Sequence, residues 1–168
     1  MAKLIHGLAN TNRQNNLYYG DSSLCPICHE AEETMRHVLT CSHPLASQHH
    51  DKEMTTLFRV LQTTHTPQQI IETIQFGFNR WWSDPNSTEA RPPTAGSLRG
   101  PDAVLTSAFL EQFRDIGWYH MCMDRISTKW ALAAAQYNTL PTNPDAALHW
   151  ASILIAALWR FSKSLWQH

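Results

Sequence analysis

Cys25, Cys28, His37 and Cys41 have the side chains and the spacing to hold a metal. They read Cys-x2-Cys-x8-His-x3-Cys, four ligand-type residues within 17 positions that take in three of the chain's four cysteines. Three thiolates and one imidazole form a common closed set for Zn²⁺, which favours four soft or borderline donors in a tetrahedron. The two halves of the pattern ask for different local structure. Cys25 and Cys28 fit one tight turn, stiffened by Pro26. His37 and Cys41 are four apart and share one face of a helix. A full set of four protein ligands leaves no position for a reactive water, so the chemistry is structural and not hydrolytic. Cysteines are also found as small buried hydrophobes, and a lone Cys-x2-Cys is also a redox pair. Neither use needs a His and a third Cys on a following helix. His29 and His43 are spare imidazoles beside the site, and either could replace His37. His43 follows Cys41 by only two and fits the helix face poorly.

Other chemistry is thinner. His120 and Cys122, flanked by Asp115 and Asp124, would need to meet to form a dyad. Two positions apart on a helix, they point about 200° away from each other, so Cys122 reads as a buried small hydrophobe. His49-His50-Asp51 reads as a solvated helix surface. No Tyr-x-Asp-Asp segment for nucleotidyl transfer and no spread of ribonuclease-type carboxylates is present. The expectation is a protein without catalytic residues of its own.

The elements that must position the ligands read as helices throughout. Residues 3–9 predict a short helix. Thr11 caps a second that runs to about Tyr19, with Gly20 just past its end. The metal helix is expected from about Glu32 to Cys41, with Pro44 beyond it. Met54, Leu57, Phe58 and Leu61 mark a helix over 45–63. Thr66-Pro67 opens another, whose face is Ile70, Ile71, Ile74, Phe78 and Trp81. Residues 83–102 are rich in Pro, Ser and Gly and read as a linker or loop. Leu105, Phe109, Phe113 and Ile116 mark a helix after it, and Ile126, Trp130 and Ala133 another. Asn143-Pro144-Asp145 opens the last, which continues to Trp166. The expected fold is all-α, a small helical zinc-binding module followed by a helical bundle. The expected division is a zinc module over 1–46, a helical extension over 47–82, the linker over 83–102 and a C-terminal helical region over 103–168.

Composition sets limits. Apolar residues are 43% and aromatics 10% of 168, enough for a packed core. The apolar stretch Ala146–Phe161 is shorter than the roughly 20 residues a membrane span needs and carries His149 and Arg160. With no secretory leader visible and cysteines suited to a reducing compartment, the expected location is cytoplasm or nucleus, with no membrane partner. The formal charge is −1. A domain that grips phosphates by counterion release is usually basic, so RNA or DNA binding is expected to be weak. Its expected contacts are Lys3, Arg13, Arg36 and Arg59. The seven tryptophans fall at helical spacing and read as core. Trp81-Trp82 is the exception, since adjacent residues cannot both face one core.

The residues around the ligands resemble a known family. Lys3-Leu4-Ile5-His6-Gly7, Thr11-Asn12-Arg13, Leu24-Cys25-Pro26-Ile27-Cys28, Glu33-Thr34, His37-Val38-Leu39 and Cys41 resemble the zinc-binding domain downstream of the polymerase in reverse transcriptases of non-LTR retrotransposons. The likeness covers residues 3–46, and His29 stands where the family more often has Gly. More loosely, Ile116-Gly117-Trp118, Arg125-Ile126-Ser127, Trp130, Leu158-Trp159 and Leu165-Trp166 resemble tails of retroelement-type reading frames. Met1 stands at the family's first helix, so the resemblance implies a fragment, a truncated copy or a freestanding remnant of a longer reading frame. It also implies a non-catalytic zinc module that helps a retroelement polymerase hold template RNA or target DNA. A protein–protein module is the alternative, docking to a polymerase or host factor through Trp81-Trp82 and the C-terminal helix.

Overall fold

Thr11 and Gly20 bracket the first helix, α1 (Asn12–Tyr19). Thr11 is extended at the N-cap, and Gly20 closes the end at φ 76° with its N–H on the Asn16 carbonyl. In this computed structural model the described residues are 10–87, 89, 91–92, 99–137 and 144–167. The helix expected over 3–9 and Lys3 lie outside them. Short α2 (Met35–Thr40) carries the second half of the ligand pattern. It starts three residues later than the sequence suggests, because Glu32 bridges to Leu24 in extended form and Thr34 is the cap. Long α3 (Pro44–Thr63) follows, with Pro44 as its first residue, where a missing N–H costs nothing.

Next comes α4 (Gln68–Ser83), whose apolar face of Ile70, Ile71, Ile74, Phe78 and Trp81 is buried as the spacing predicts. Pro67, not Thr66, stands at its N-cap. Thr66 is buried, and its hydroxyl accepts the Trp150 Nε1–H at 3.1 Å. Helix α5 (Gly100–Glu111) has a proline in its first turn. It runs into one wide π-helical turn, Gln112–Ile116. Then follow α6 (Trp118–Met121), α7 (Lys129–Tyr137) and α8 (Pro144–Gln167). Among the described residues the only β pairing is the isolated Leu24–Glu32 bridge. The fold is all-α.

Contacts group the helices into two units. The first comprises the chain up to Thr56 together with the stretch from Trp159 onward; the second is Leu57–Leu158. Within the second, α5 packs chiefly on α7, and α4 packs on α5, α6 and α7. Its core is aromatic: Trp118 lies 5.2 Å from Phe78 and 5.7 Å from Phe109, ring centre to ring centre. Gly77 makes this possible, because a methyl group there would overlap the Trp118 ring.

The π-helical turn is pinned by one fully buried amide. Gln112 Nε2 donates to the carbonyls of Gly117 (3.1 Å) and Arg125 (3.2 Å). Its Oε1 accepts from the Ser127 backbone N–H (3.0 Å) and Trp130 Nε1–H (3.3 Å). All four hydrogen-bonding sites of the amide are filled, which is the condition for burying it cheaply.

Candidate metal centre

Cys25 and Cys28 sit on a knuckle made by the backbone. Cys25 N–H donates to the Ala31 carbonyl (2.8 Å), and His29 N–H returns to the Cys25 carbonyl (2.9 Å). His29 turns the corner at φ 57°, in the left-handed region. Glycine adopts that conformation freely, whereas a histidine there is strained. The other half is set by Thr34, whose Oγ1 accepts the His37 N–H at 3.0 Å and fixes the start of α2. His37 then stands in the first turn and Cys41 just past the last, both on the side of the knuckle.

The four donors converge. The Cys25, Cys28 and Cys41 sulfurs and one His37 ring nitrogen all lie within 4.8 Å of one another. Cys28 Sγ is 3.3 Å from His37 Nε2. Metal–ligand bonds of about 2.0–2.3 Å in a tetrahedron put donor atoms about 3.3–3.8 Å apart. The cluster therefore needs little movement to close on one ion. Cys25 and Cys41 are buried, whereas Cys28 and His37 are half-buried.

The backbone is arranged to stabilise thiolates. The Glu30 N–H, with help from that of Ala31 and the neighbouring thiols, holds the Cys28 thiol below its ordinary pKa against a partial desolvation. Cys41 goes the other way. Burial, then the charges of Cys25 and Cys28, push it up to about 11, although the His43 N–H opposes them. Three sulfurs so close repel one another as anions, and a dication at their centre removes that repulsion.

Glu33 and Asn12 tie α1 to the knuckle. The Glu33 carboxylate accepts the Asn12 backbone N–H at the start of α1, a position where the helix dipole favours an anion. Asn12 Nδ2 donates to the Leu24 carbonyl at 2.8 Å. Under the ligands Cys25, Cys41 and Ala46 form a small apolar cluster against Ile27 and Cys28. A cavity of about 30 Å³ is lined by Cys25, Cys41, Val38, His50 and, from α8, Leu165 and Trp166.

His50 does not lie on a solvated surface as the sequence suggests. It is buried, with Nε2 3.1 Å from the Val38 carbonyl, and desolvation lowers its pKa. The neutral ring thus donates to the end of α2. His49 reaches the Ser164 carbonyl at 3.3 Å. Cys122 is fully buried and belongs to the second unit's core, as its spacing from His120 predicts. Trp81 is buried, and Trp82 is half-buried and stacks on Phe78 at 5.5 Å.

The expected phosphate contacts are dispersed. Arg13 pairs with Glu32 at 3.6 Å, both more than half exposed. Arg36 is exposed on α2, next to His37. Arg59 is exposed in the second unit. Sequence reasoning missed the tie from Glu33 to α1, the thiolate-stabilising amides and the approach of the last turns of α8 to the ligands. Amide direction and a contact 115 positions away leave no local signature. Among the described residues no helix is long and apolar enough to cross a membrane. Comparison with protein families, with characterised proteins and with solved structures returned no match to this chain.

Proposed function

We propose that this chain is a non-catalytic zinc module which contacts template RNA or target DNA as an accessory to a retroelement-type reverse transcriptase. The observation that carries the reading is the convergence of Cys25, Cys28, His37 and Cys41 on one point. Three sulfurs and one imidazole nitrogen gathered within 4.8 Å suit Zn²⁺ above the hard cations, which prefer oxygen. Bound there, zinc would be a structural cross-link between the knuckle and α2. The resemblance of residues 3–46 to the retroelement zinc-binding domain supports the polymerase context. His29 at a positive φ agrees with it, since the departure falls where the backbone favours the family's glycine. Burial of Trp81 weakens the protein–protein alternative, which keeps the half-buried Trp82 and the C-terminal helix.

Purified protein in reducing buffer should contain one zinc per chain. It should retain single-stranded RNA or DNA at low salt and release it as salt rises. Absence of zinc, with a Cys25–Cys28 disulfide instead, overturns the metal assignment. Zinc-loaded protein that retains no nucleic acid at low salt overturns the nucleic-acid role.

A further inference from the structure

Residues 1–56 carry four Lys/Arg against six Asp/Glu, an unpromising balance for holding phosphates. The stretch from Trp159 belongs to the same unit and changes that balance. It adds Arg160 and Lys163 and no acid. Both are exposed, at i and i+3 on one face of α8, with exposed Gln167 one turn further along that face. Together with His49 of α3 and Ser164 they line an open groove of about 400 Å³. None of the five lining residues is acidic; Arg160, Lys163, Ser164 and Gln167 can offer hydrogen-bond donors, while His49 points Nε2 at the Ser164 carbonyl and braces the face. Among the described residues neither Arg160 nor Lys163 is in an ion pair. The last turn of α8 carries no basic residue, so these cations are not placed to neutralise the helix end. Trp159 and Trp166 border the face, both half-buried.

We infer that the groove of His49, Arg160, Lys163, Ser164 and Gln167 is the site at which the first unit holds the phosphate backbone of a nucleic-acid strand. Arg160 offers a planar fork for two phosphate oxygens and Lys163 a point charge. Gln167 and Ser164 add neutral donors at either side. An acid-free face of cations and neutral donors suits a phosphate strand, whereas a membrane surface would ask for fully exposed apolar side chains beside the cations, and Trp159 and Trp166 are half-buried. The proposal rests on the nucleic-acid reading above and names the contact face for it.

The test is binding of labelled single-stranded RNA and DNA oligonucleotides to the whole zinc-loaded chain across a salt series. Native protein is compared with Arg160→Ala/Lys163→Ala and Arg13→Ala/Arg36→Ala, and anionic phosphatidylserine vesicles form a further arm. Each phosphate contact on a single strand contributes about 0.7 to the slope of log K against log salt, so loss of two should flatten it by about 1.4. That flattening in the α8 variant, with zinc content unchanged, is the expected result. If the native chain binds and the α8 variant keeps its affinity and slope, the groove is wrong while the wider reading stands on other contacts. If the native chain binds neither strand, both fall. If the α8 variant loses binding to vesicles but not to strands, a lipid surface replaces nucleic acid as the partner of the groove.

Discussion

Around Trp118 the second unit closes large side chains on one another: Phe78, Phe109, Trp130 and Met121 are all buried with it. Around Cys41 the first unit has three cysteines, Ala46 and Ile27. Burial of a large side chain is worth about 1.5–3 kcal/mol, and the second unit has many of them. The first buries Met35, Leu39, Met54, Phe161 and Leu165 but spends its centre on donors that attract one another only through a cation. The same chain thus has two means of cohesion open to it, apolar area in one unit and, on the zinc reading, coordination in the other. They should respond to different insults.

The largest separation should come from the metal. Coordination in small zinc modules is worth roughly 10–16 kcal/mol near neutral pH. Chelation, or Cys41→Ser, should raise amide exchange over residues 12–50 to near the unfolded rate and leave residues 68–83 and 105–134 protected. Cys122→Ser should leave zinc stoichiometry unchanged. Equal exchange in both units after chelation would break the comparison.

The reverse insult is Gly77→Ala, which forces Trp118 out of its slot against α4. Overpacking of this kind costs about 3 kcal/mol. Denaturant unfolding followed by tryptophan fluorescence should report that loss, with zinc content unaltered.

A smaller, pH-dependent effect belongs to Asp124. It sits at φ 64° with Oδ1 buried and unpartnered, and burial raises its pKa from 3.8 to about 6. The folded state therefore binds the proton more tightly than the unfolded chain. Stability contributed by the protonated form is present below pH 4 and is lost as pH rises through about 6. Asp124→Asn tolerates the same backbone and should remove that decline, gaining about 1 kcal/mol at pH 7 once solvent screening of this half-exposed group is allowed for. A melting-temperature difference that stays constant from pH 4 to 7 would contradict the assignment.

An effect of the same size is expected from His29→Gly, which relieves a left-handed non-glycine residue at the knuckle. It should slow zinc loss to a competing chelator and stabilise the first unit by about 1 kcal/mol, with the second unit's unfolding midpoint unmoved.

How much of this was legible in the sequence varies with the range of the interaction. The gathering of Cys25, Cys28, His37 and Cys41, the bounds of α1 and the face of α4 are set by near neighbours, and residue type and spacing suffice to find them. Helix α2 is shorter than residue type suggests because the Leu24–Glu32 bridge pairs backbone across the knuckle, which no side-chain pattern marks. His50 reads as surface because polar residues usually are, Thr66 reads as a helix start, and Gln112 carries no signal at all. Each is buried through a partner that the fold brings from elsewhere: Trp130, Trp150 and the Val38 carbonyl. The assignment of residues 159–167 to the first unit depends on contacts such as His49 with Ser164, far apart in sequence.

That last feature sets an order of events in folding. The second unit is one continuous segment, while the first is assembled from both sides of it. Closing a flexible loop of 115 residues to join His49 to Ser164 costs about 4 kcal/mol of chain entropy. Prior collapse of the intervening segment shortens the loop and lowers that cost. The knuckle and α2 can gather an ion from local sequence alone as they emerge. The part of α8 that walls the cluster lies 115 positions beyond His49, so the four donors would gather early and be enclosed late.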